Sequence, residues 1–211
     1  MKVVSAKKQN NKVTVVFDDG NIISLFGDIF LEHKLFNDSE ISSDLYFKVI
    51  DLNDERIIIN FAKKLLAVRL YSVKSLKNKL LKKNDNEKIV DKVISLFKEY
   101  GYLNDREFAR QFIKDRLINK KKGRLRIKYD LKNEGINTEI IDELLSSIED
   151  DTEIETAYKL AESKLRTAKK QDVLKLKGKI FRFLQSRGFG RSTCSKVLSK
   201  LFKNNDEVIY E

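Results

Sequence analysis

Hydrophobic residues recur along most of this chain at the spacing of one helical face, and the same pattern occurs three times. Each copy spans about fifty residues and predicts a first, a second and a third helix. Repeats of this kind stack so that neighbouring units cover one another's apolar faces. The aligned positions of the first helices are Phe61, Ala62, Leu65 and Leu66 in copy one, Phe108, Ala109, Phe112 and Ile113 in copy two, and Thr156, Ala157, Leu160 and Ala161 in copy three.

The turn between the second and third helices carries the same signals in all three copies. The residues that stop the second helices are Asn84, Gly135 and Gly188, and those that start the third helices, two positions later, are Asn86, Asn137 and Gly190. Asn and Gly most readily adopt the left-handed conformation that closes a helix, and both are favourable N-caps. An ordinary nine-helix domain without repeats is the alternative, but it does not explain why these signals recur together.

The N-terminal region has a different pattern. Lys12–Phe17 and Ile22–Phe26 are β-prone runs on either side of an Asp-Gly turn, which is typical of a hairpin. A preceding strand at Lys2–Lys7 adds to this hairpin, and residues 28–50 are predicted to be helical. Asn104, followed three residues later by Glu107, predicts a capped helix start in the second repeat.

The sequence therefore predicts a mostly α fold. It is a tandem array of three three-helix repeats, each similar to a helix-turn-helix, with a small N-terminal region that contains a β-hairpin. The predicted domains are residues 1–52 (hairpin plus helical region), 53–102 (repeat one), 103–149 (repeat two) and 150–211 (repeat three and C-terminal tail).

The charge balance points to an acidic partner. Lys and Arg number 43 against 32 Asp and Glu, which gives a net charge of +11 at pH 7. Such an excess favours nucleic acid or a nucleoprotein as the partner. The single cysteine excludes an intrachain disulfide, and no apolar run is long enough to span a membrane. Because the N-terminus also lacks the apolar run of a signal peptide, we expect a cytoplasmic location.

Basic residues concentrate in repeats two and three. A flexible basic loop around Gly123 that leads into a basic helix face can follow a phosphate backbone, whereas a solvated charged surface is the alternative. The candidate binding residues are Arg106, Arg110 and Lys114 in the first helix of repeat two, Lys120, Lys121, Lys122, Arg124, Arg126 and Lys128 at the following joint, and Arg182, Arg187 and Arg191 in repeat three. The third helices carry acids such as Glu139, so sequence-specific base reading is disfavoured.

Catalytic motifs are weak by comparison. His33 is the only histidine and has no partner motif. Cys194 aligns with Ile141 in the apolar pattern, which predicts a buried side chain. Gly188-Phe189-Gly190 is too short for a phosphate-binding loop. We therefore expect a binding protein that is not an enzyme and that has no metal site and no cofactor.

Several motifs resemble those of the RecX regulators, which modulate the bacterial recombinase RecA. The most specific is Tyr100-Gly101-Tyr102-Leu103-Asn104-Asp105, continued by Arg106-Glu107-Phe108-Ala109-Arg110. The other matching segments are Arg69-x-Tyr71-Ser72-x-x-x-Leu76, Lys122-Gly123-Arg124-Leu125-Arg126-Ile127, Leu131-x-x-x-Gly135-Ile136 and Ile180-x-x-Phe183-Leu184-x-x-Arg187-Gly188-Phe189. The likeness covers about residues 56–203.

The resemblance implies three tandem three-helix units that bind along the groove of a RecA filament, together with the single-stranded DNA inside it. It also implies inhibition of ATP hydrolysis, strand exchange and coprotease function, without chemistry by this chain. We expect a monomer that binds no membrane. Two alternatives remain: a non-specific DNA-binding or architectural protein, and a helical-repeat scaffold for an acidic protein.

Overall fold

The structure is a computed structural model and describes residues 1–168 and 172–203. It is mostly helical, as the repeat pattern predicts, with three strands and ten α-helices in those residues. The chain divides into two compact units. Unit one contains Met1–Leu70 and Leu76–Leu103, and unit two contains Tyr71–Ser75 and the chain from Asn104 onward.

An antiparallel sheet opens unit one and confirms the predicted hairpin and its preceding strand. The strands are β1 (Val3–Gln9), β2 (Lys12–Phe17) and β3 (Ile22–Phe26), and they lie in the order β1-β2-β3. Along β2, Val13, Val15 and Phe17 are buried while the residues between them are more exposed. This alternation places one face of the sheet on an apolar core, where Leu25 pairs opposite Val13.

The helical prediction over residues 28–50 is only partly correct. A short helix, α1 (Gly27–Glu32), ends before residues 33–42, which are not helical, and α2 (Ser43–Leu66) then continues for 24 residues. The boundary placed between residues 52 and 53 falls inside α2. Here the buried Asn53 accepts a hydrogen bond from the Phe26 N–H at 3.1 Å, so α2 is tied to the end of β3.

Eight further helices complete the three repeats. They are α3 (Val73–Leu81), α4 (Glu87–Glu99), α5 (Asp105–Lys114), α6 (Arg124–Asn133), α7 (Thr138–Ser146), α8 (Asp150–Arg166), α9 (Val173–Ser186) and α10 (Arg191–Lys203). A π-helical turn over Asp115–Asn119 follows α5. In unit two, the apolar positions of repeats two and three form two core clusters, and Cys194 is buried in the second, as predicted.

The predicted helix caps are largely confirmed. The side chains of Asn86, Asn104 and Asn137 accept hydrogen bonds from the first backbone N–H groups of α4, α5 and α7. Gly135 and Gly188 have φ values of 81° and 88°, the left-handed conformation expected after α6 and α9. These residues set helix boundaries in all three repeats.

The prediction for Asn84 is wrong, because its backbone is not left-handed. Its side chain instead accepts a hydrogen bond from the Asn86 N–H at 2.9 Å and donates one to the Asp54 carboxylate at 2.9 Å. An Asn side chain can replace a backbone turn contact in this way. The turn in repeat one is therefore closed by side-chain hydrogen bonds.

Candidate nucleic-acid interface

The loop before α6 contacts the turn after α9 through the backbone. The Gly123 N–H donates to the Arg187 carbonyl at 3.0 Å, and the Leu125 N–H donates to the Gly188 carbonyl at 3.1 Å. A Cβ atom on Gly123 would collide with the backbone of Gly188, and one on Gly188 would collide with Arg126. Both positions therefore require glycine for the two repeats to approach this closely.

This contact brings together the two basic segments that the sequence separates. Lys122 precedes Gly123 directly, and its N–H donates to the Arg116 carbonyl at 2.8 Å. The preceding lysine, Lys121, has a positive φ of 49°. On the other side of the contact, the Arg187 guanidinium lies over the Phe183 ring at 5.4 Å from its centroid. We call Lys120, Lys121, Lys122, Arg126 and Arg187 the basic joint.

Arg124 lies at the same place but is engaged internally. Its guanidinium pairs with Asp150 at 2.8 Å and donates to the Ile148 carbonyl at 2.6 Å. Its backbone N–H donates to the carboxylate of Glu153 at 2.9 Å, and Glu153 is only 4% exposed. Since a buried carboxylate needs such partners, Arg124 stabilises the contact between repeats, and its contact with nucleic acid stays a prediction.

Glu153 is a residue that the sequence interpretation missed. It lies in the acidic first turn of α8, and its carboxylate binds the first N–H of α6, a contact that no local sequence pattern indicates. Asp105, in the first turn of α5, binds the Val73 N–H at the start of α3 in the same way, at 2.8 Å. Gly135 approaches Lys74 closely, as Gly188 approaches Arg126. Within unit two, an acidic side chain on a helix-start N–H and a closely approached glycine therefore occur together twice.

The motif around Tyr71 and Ser72, one of those that resemble RecX, contributes to the packing of unit two. Tyr71 and Ser72 are both buried. The Ser72 hydroxyl donates to the Glu134 carboxylate at 3.1 Å and accepts from the Ser75 N–H at 3.0 Å, which caps α3. Within unit two, these contacts hold the start of α3 against the end of α6.

The candidate residues on α5 form exposed ion pairs. Arg106 binds both carboxylate oxygens of Glu143, one of them at 2.9 Å, and this hydrogen bonding lowers the pKa of Glu143 below its usual value. Arg110 pairs with Glu107 one turn away, while Lys114 is exposed at the end of the helix. These pairs reduce the positive charge that α5 presents.

On α6, two more candidates have acidic partners. Lys128 pairs with Asp142, and Arg126 pairs with Asp130 at 2.9 Å. The Arg126 guanidinium also lies over the Tyr129 ring at 5.5 Å from its centroid. Because Tyr129 is 58% exposed, this aromatic side chain adds a stacking surface that the sequence interpretation missed.

Arg182 and Arg191 are both exposed, on α9 and at the start of α10. The structure thus places the candidate residues in three settings: the basic joint, internal or surface ion pairs, and exposed positions such as Lys114, Arg182 and Arg191; Arg126 belongs to the first two. Cationic side chains in such an array can bind phosphates, and they need no reactive group to do so.

Reactive groups are few in the part of the chain that the structure describes. Residues 1–168 and 172–203 contain no cluster of three or more His, Cys, Asp or Glu side chains that could hold a metal ion. Within the same ranges, no helix is both long enough and apolar enough to cross a bilayer. Burial raises the pKa of the Cys194 thiol to about 11, which makes it a poor nucleophile near neutral pH.

Known protein families match both repeats of unit two. Residues 104–145 match the family described as RecX, second three-helix domain, and residues 151–198 match RecX, third three-helix domain. The chain is 33% identical over 208 residues to the regulatory protein RecX of Clostridioides difficile (strain 630), covering 98% of this chain and 96% of that protein. It is 31% identical over 204 residues to regulatory protein RecX of Clostridium perfringens (strain 13 / Type A), covering 95% of each.

Two solved structures share the fold. A crystal structure of regulatory protein RecX superposes with a TM-score of 0.71 at 17% identity, covering 94% of this chain and 98% of the other. The crystal structure of RecX from Lactobacillus salivarius superposes with a TM-score of 0.65 at 22% identity, covering 71% of this chain and 97% of the other. From the sequence identity to the clostridial relatives over nearly the whole chain, the protein belongs to the RecX family of regulatory proteins.

Proposed function

We propose that this chain binds the groove of a RecA filament on single-stranded DNA and inhibits the recombinase. Inhibition covers ATP hydrolysis, strand exchange and the coprotease function, so that the protein modulates DNA repair and recombination. It works by binding alone, as a cytoplasmic monomer without a cofactor or catalytic residues. The membership in a family of regulatory proteins supports this function.

The basic joint is the observation that carries the proposal. The backbone contact of Gly123 with Arg187 brings basic segments of two repeats together, with Lys122 next to Gly123 on one side and Arg187 on the other. Cations at successive places along an array suit a polymer with regularly spaced phosphates. Because each further contact is intramolecular once the first has formed, modest contacts combine into tight binding.

ATP hydrolysis by a recombinase on single-stranded DNA tests the proposal. We expect hydrolysis and strand exchange to fall when the protein is added at a stoichiometric ratio to recombinase. Unchanged rates of both at that ratio would contradict the proposed function. The same reaction without DNA gives the background rate of ATP hydrolysis.

Removing three charges from the basic joint tests the site. The variant carries Lys120→Gln, Lys121→Asn and Lys122→Gln, and Asn is chosen because it tolerates the positive φ of 49° at position 121. The control replaces the exposed Lys79, Lys82 and Lys83 of unit one by Gln and so has the same net charge. We expect filament affinity to fall about tenfold or more in the joint variant only. Equal losses of filament affinity in both variants would show that the basic joint is not part of the binding site.

A non-specific DNA-binding protein is the second candidate, favoured by the exposed cations Arg182 and Arg191. It predicts tight binding to bare duplex that weakens steeply with salt, since bound phosphates release counterions. The filament regulator predicts much weaker binding to bare duplex than to the filament. Titration of labelled duplex in the absence of recombinase separates the two.

A further inference from the structure

The outward face of α9 centres on a glycine that the fold does not need. Gly178 lies in the middle of this 14-residue helix, and nothing in the described chain lies within 4 Å of the Cβ atom that another residue would have there. A glycine in a helix interior destabilises the helix relative to alanine. The aligned positions in the other two second helices, Lys74 and Leu125, carry side chains. The repeat itself therefore does not call for glycine.

The surface around Gly178 is an open, shallow depression of about 650 Å³. The residues that line it are Leu174, Lys175, Gly178, Lys179, Phe181 and Arg182, which include three cations and no acid. Leu174 is 79% exposed, so apolar side-chain surface accompanies the cations on this face.

We infer that this face of α9, which we call the α9 face, is a docking surface for single-stranded nucleic acid. Lys175 and Arg182 lie about one helical turn before and after Gly178 on the same face, so that both can contact phosphates of one bound strand. Leu174 and Phe181 offer apolar surface to unstacked bases, which a duplex keeps in its interior. The missing Cβ at Gly178 lets the backbone of the bound strand approach the helix between the cations.

The inference deepens the proposed function, because it assigns a direct contact with the DNA strand of the filament. Its test contains no recombinase, so the two can fail separately. If the α9 face does not bind a single strand but the recombinase is still inhibited, only this inference is lost. If the α9 face binds but the recombinase is not inhibited, only the proposed function is lost.

Substitution of Gly178 gives the decisive test, because stability and binding should change in opposite directions. We expect Gly178→Ala to raise the Tm by about 1–4 °C, since alanine favours the helix and meets open space. We expect affinity of the full-length protein for a fluorescein-labelled poly-dT oligonucleotide, measured by anisotropy, to fall about threefold for Gly178→Ala and about tenfold for the larger Gly178→Gln.

The control for stability is Ser163→Ala, which favours the helical state of α8 at an exposed position away from the α9 face. It should raise the Tm without changing the affinity for the oligonucleotide. An unchanged affinity in both Gly178 variants would overturn the inference. So would a lowered Tm, because the fold itself would then require the glycine.

Charge removal adds an independent measurement. Lys175→Gln should reduce the slope of log affinity against log salt by about 0.7, the value for one lost contact with a single strand. Lys159→Gln, on α8, removes the same charge from an exposed ion pair with Glu155 and should leave that slope unchanged. Equal losses of duplex and single-strand affinity in Lys175→Gln would overturn the assignment to a single strand. Failure of the unaltered protein to bind the oligonucleotide at low salt would overturn it as well.

Discussion

At the scale of single residues, repeats two and three can approach closely because Gly123 and Gly188 have no Cβ atom. A Cβ atom on Gly123 would lie too close to the Gly188 backbone, and one on Gly188 would lie too close to the Arg126 side chain. Replacing Gly123 by Ala should therefore force the two repeats apart or distort the loop. We expect the free energy of unfolding to fall by about 1–3 kcal/mol, the usual range for overpacking. Urea unfolding of the full chain measures this loss.

The matched comparison is Gly178→Ala, the same chemical change at a position with open space around it. It should not lower the free energy of unfolding. A similar destabilisation at both glycines would show that the close contact at Gly123 has no special part in stability.

The ion pair between Arg106 and Glu143 predicts a dependence on pH. Arg106 lowers the pKa of the Glu143 carboxylate in the folded state. This pair therefore stabilises the fold above the carboxylate's unfolded pKa, and that stabilisation is lost as the pH falls through the lower folded value. In Arg106→Gln, the pKa of Glu143 should rise towards its ordinary range, as measured by NMR titration of the side-chain carboxyl carbon. Lys114→Gln, on the same helix, should leave the Glu143 titration unchanged.

At the scale of elements, helix starts depend on single asparagines. Asn104 accepts hydrogen bonds from the N–H groups of Arg106 and Glu107, whereas the Glu107 side chain bonds to Arg110 and Gln111 rather than back to Asn104. Only the Asn104 side chain therefore caps the helix, and Glu107 does not complete a reciprocal capping box. We expect Asn104→Ala to lower the free energy of unfolding by about 1 kcal/mol.

Asn104→Asp should retain most of that stability, because a carboxylate caps the same N–H groups. Chemical denaturation of the three proteins at neutral pH gives the comparison. If Asn104→Asp loses as much as Asn104→Ala, the capping account of this position is wrong.

Much of the helical pattern was predictable from the sequence because it is local. Apolar spacing and cap residues such as Asn86 and Asn137 act within one or two turns, and the structure has them as expected. Asn84 was mispredicted because its side chain bonds to Asn86 and also to Asp54, which is 30 residues away and invisible to a local pattern. The break at residues 33–42 was missed although Asn37, Asp38 and Ser39 form a polar turn signal inside it.

The site was less predictable because its contacts are distant in sequence. The sequence identified the basic segments, but the pairing of Arg124 with Glu153 joins residues 29 positions apart and depends on how two repeats meet. Nor did charge patterning separate Arg124, which is engaged internally, from its exposed neighbour Lys120. The sequence does not show that an apolar residue such as Tyr129 is exposed, because that depends on which face of the helix is buried.

At the scale of the whole molecule, the net charge of +11 should make filament binding depend on salt. Each phosphate contact with single-stranded DNA contributes about −0.7 to the slope of log affinity against log salt. Removing Lys120, Lys121 and Lys122 should therefore make the slope shallower by about 2 if all three contact phosphates. Titrations of the filament in increasing potassium chloride measure the slope. An equal slope in the variant would mean that these lysines contact protein instead of DNA.

The burial of Cys194 has a practical consequence for following this protein on its target. Its thiol is fully enclosed, and its high pKa leaves almost no thiolate at the pH of maleimide coupling. A second cysteine introduced at Lys82, which is exposed and lies outside the basic joint, can therefore be coupled to a dye while the native one stays unmodified. Single-molecule fluorescence on such labelled chains can then time their arrival on and departure from individual filaments.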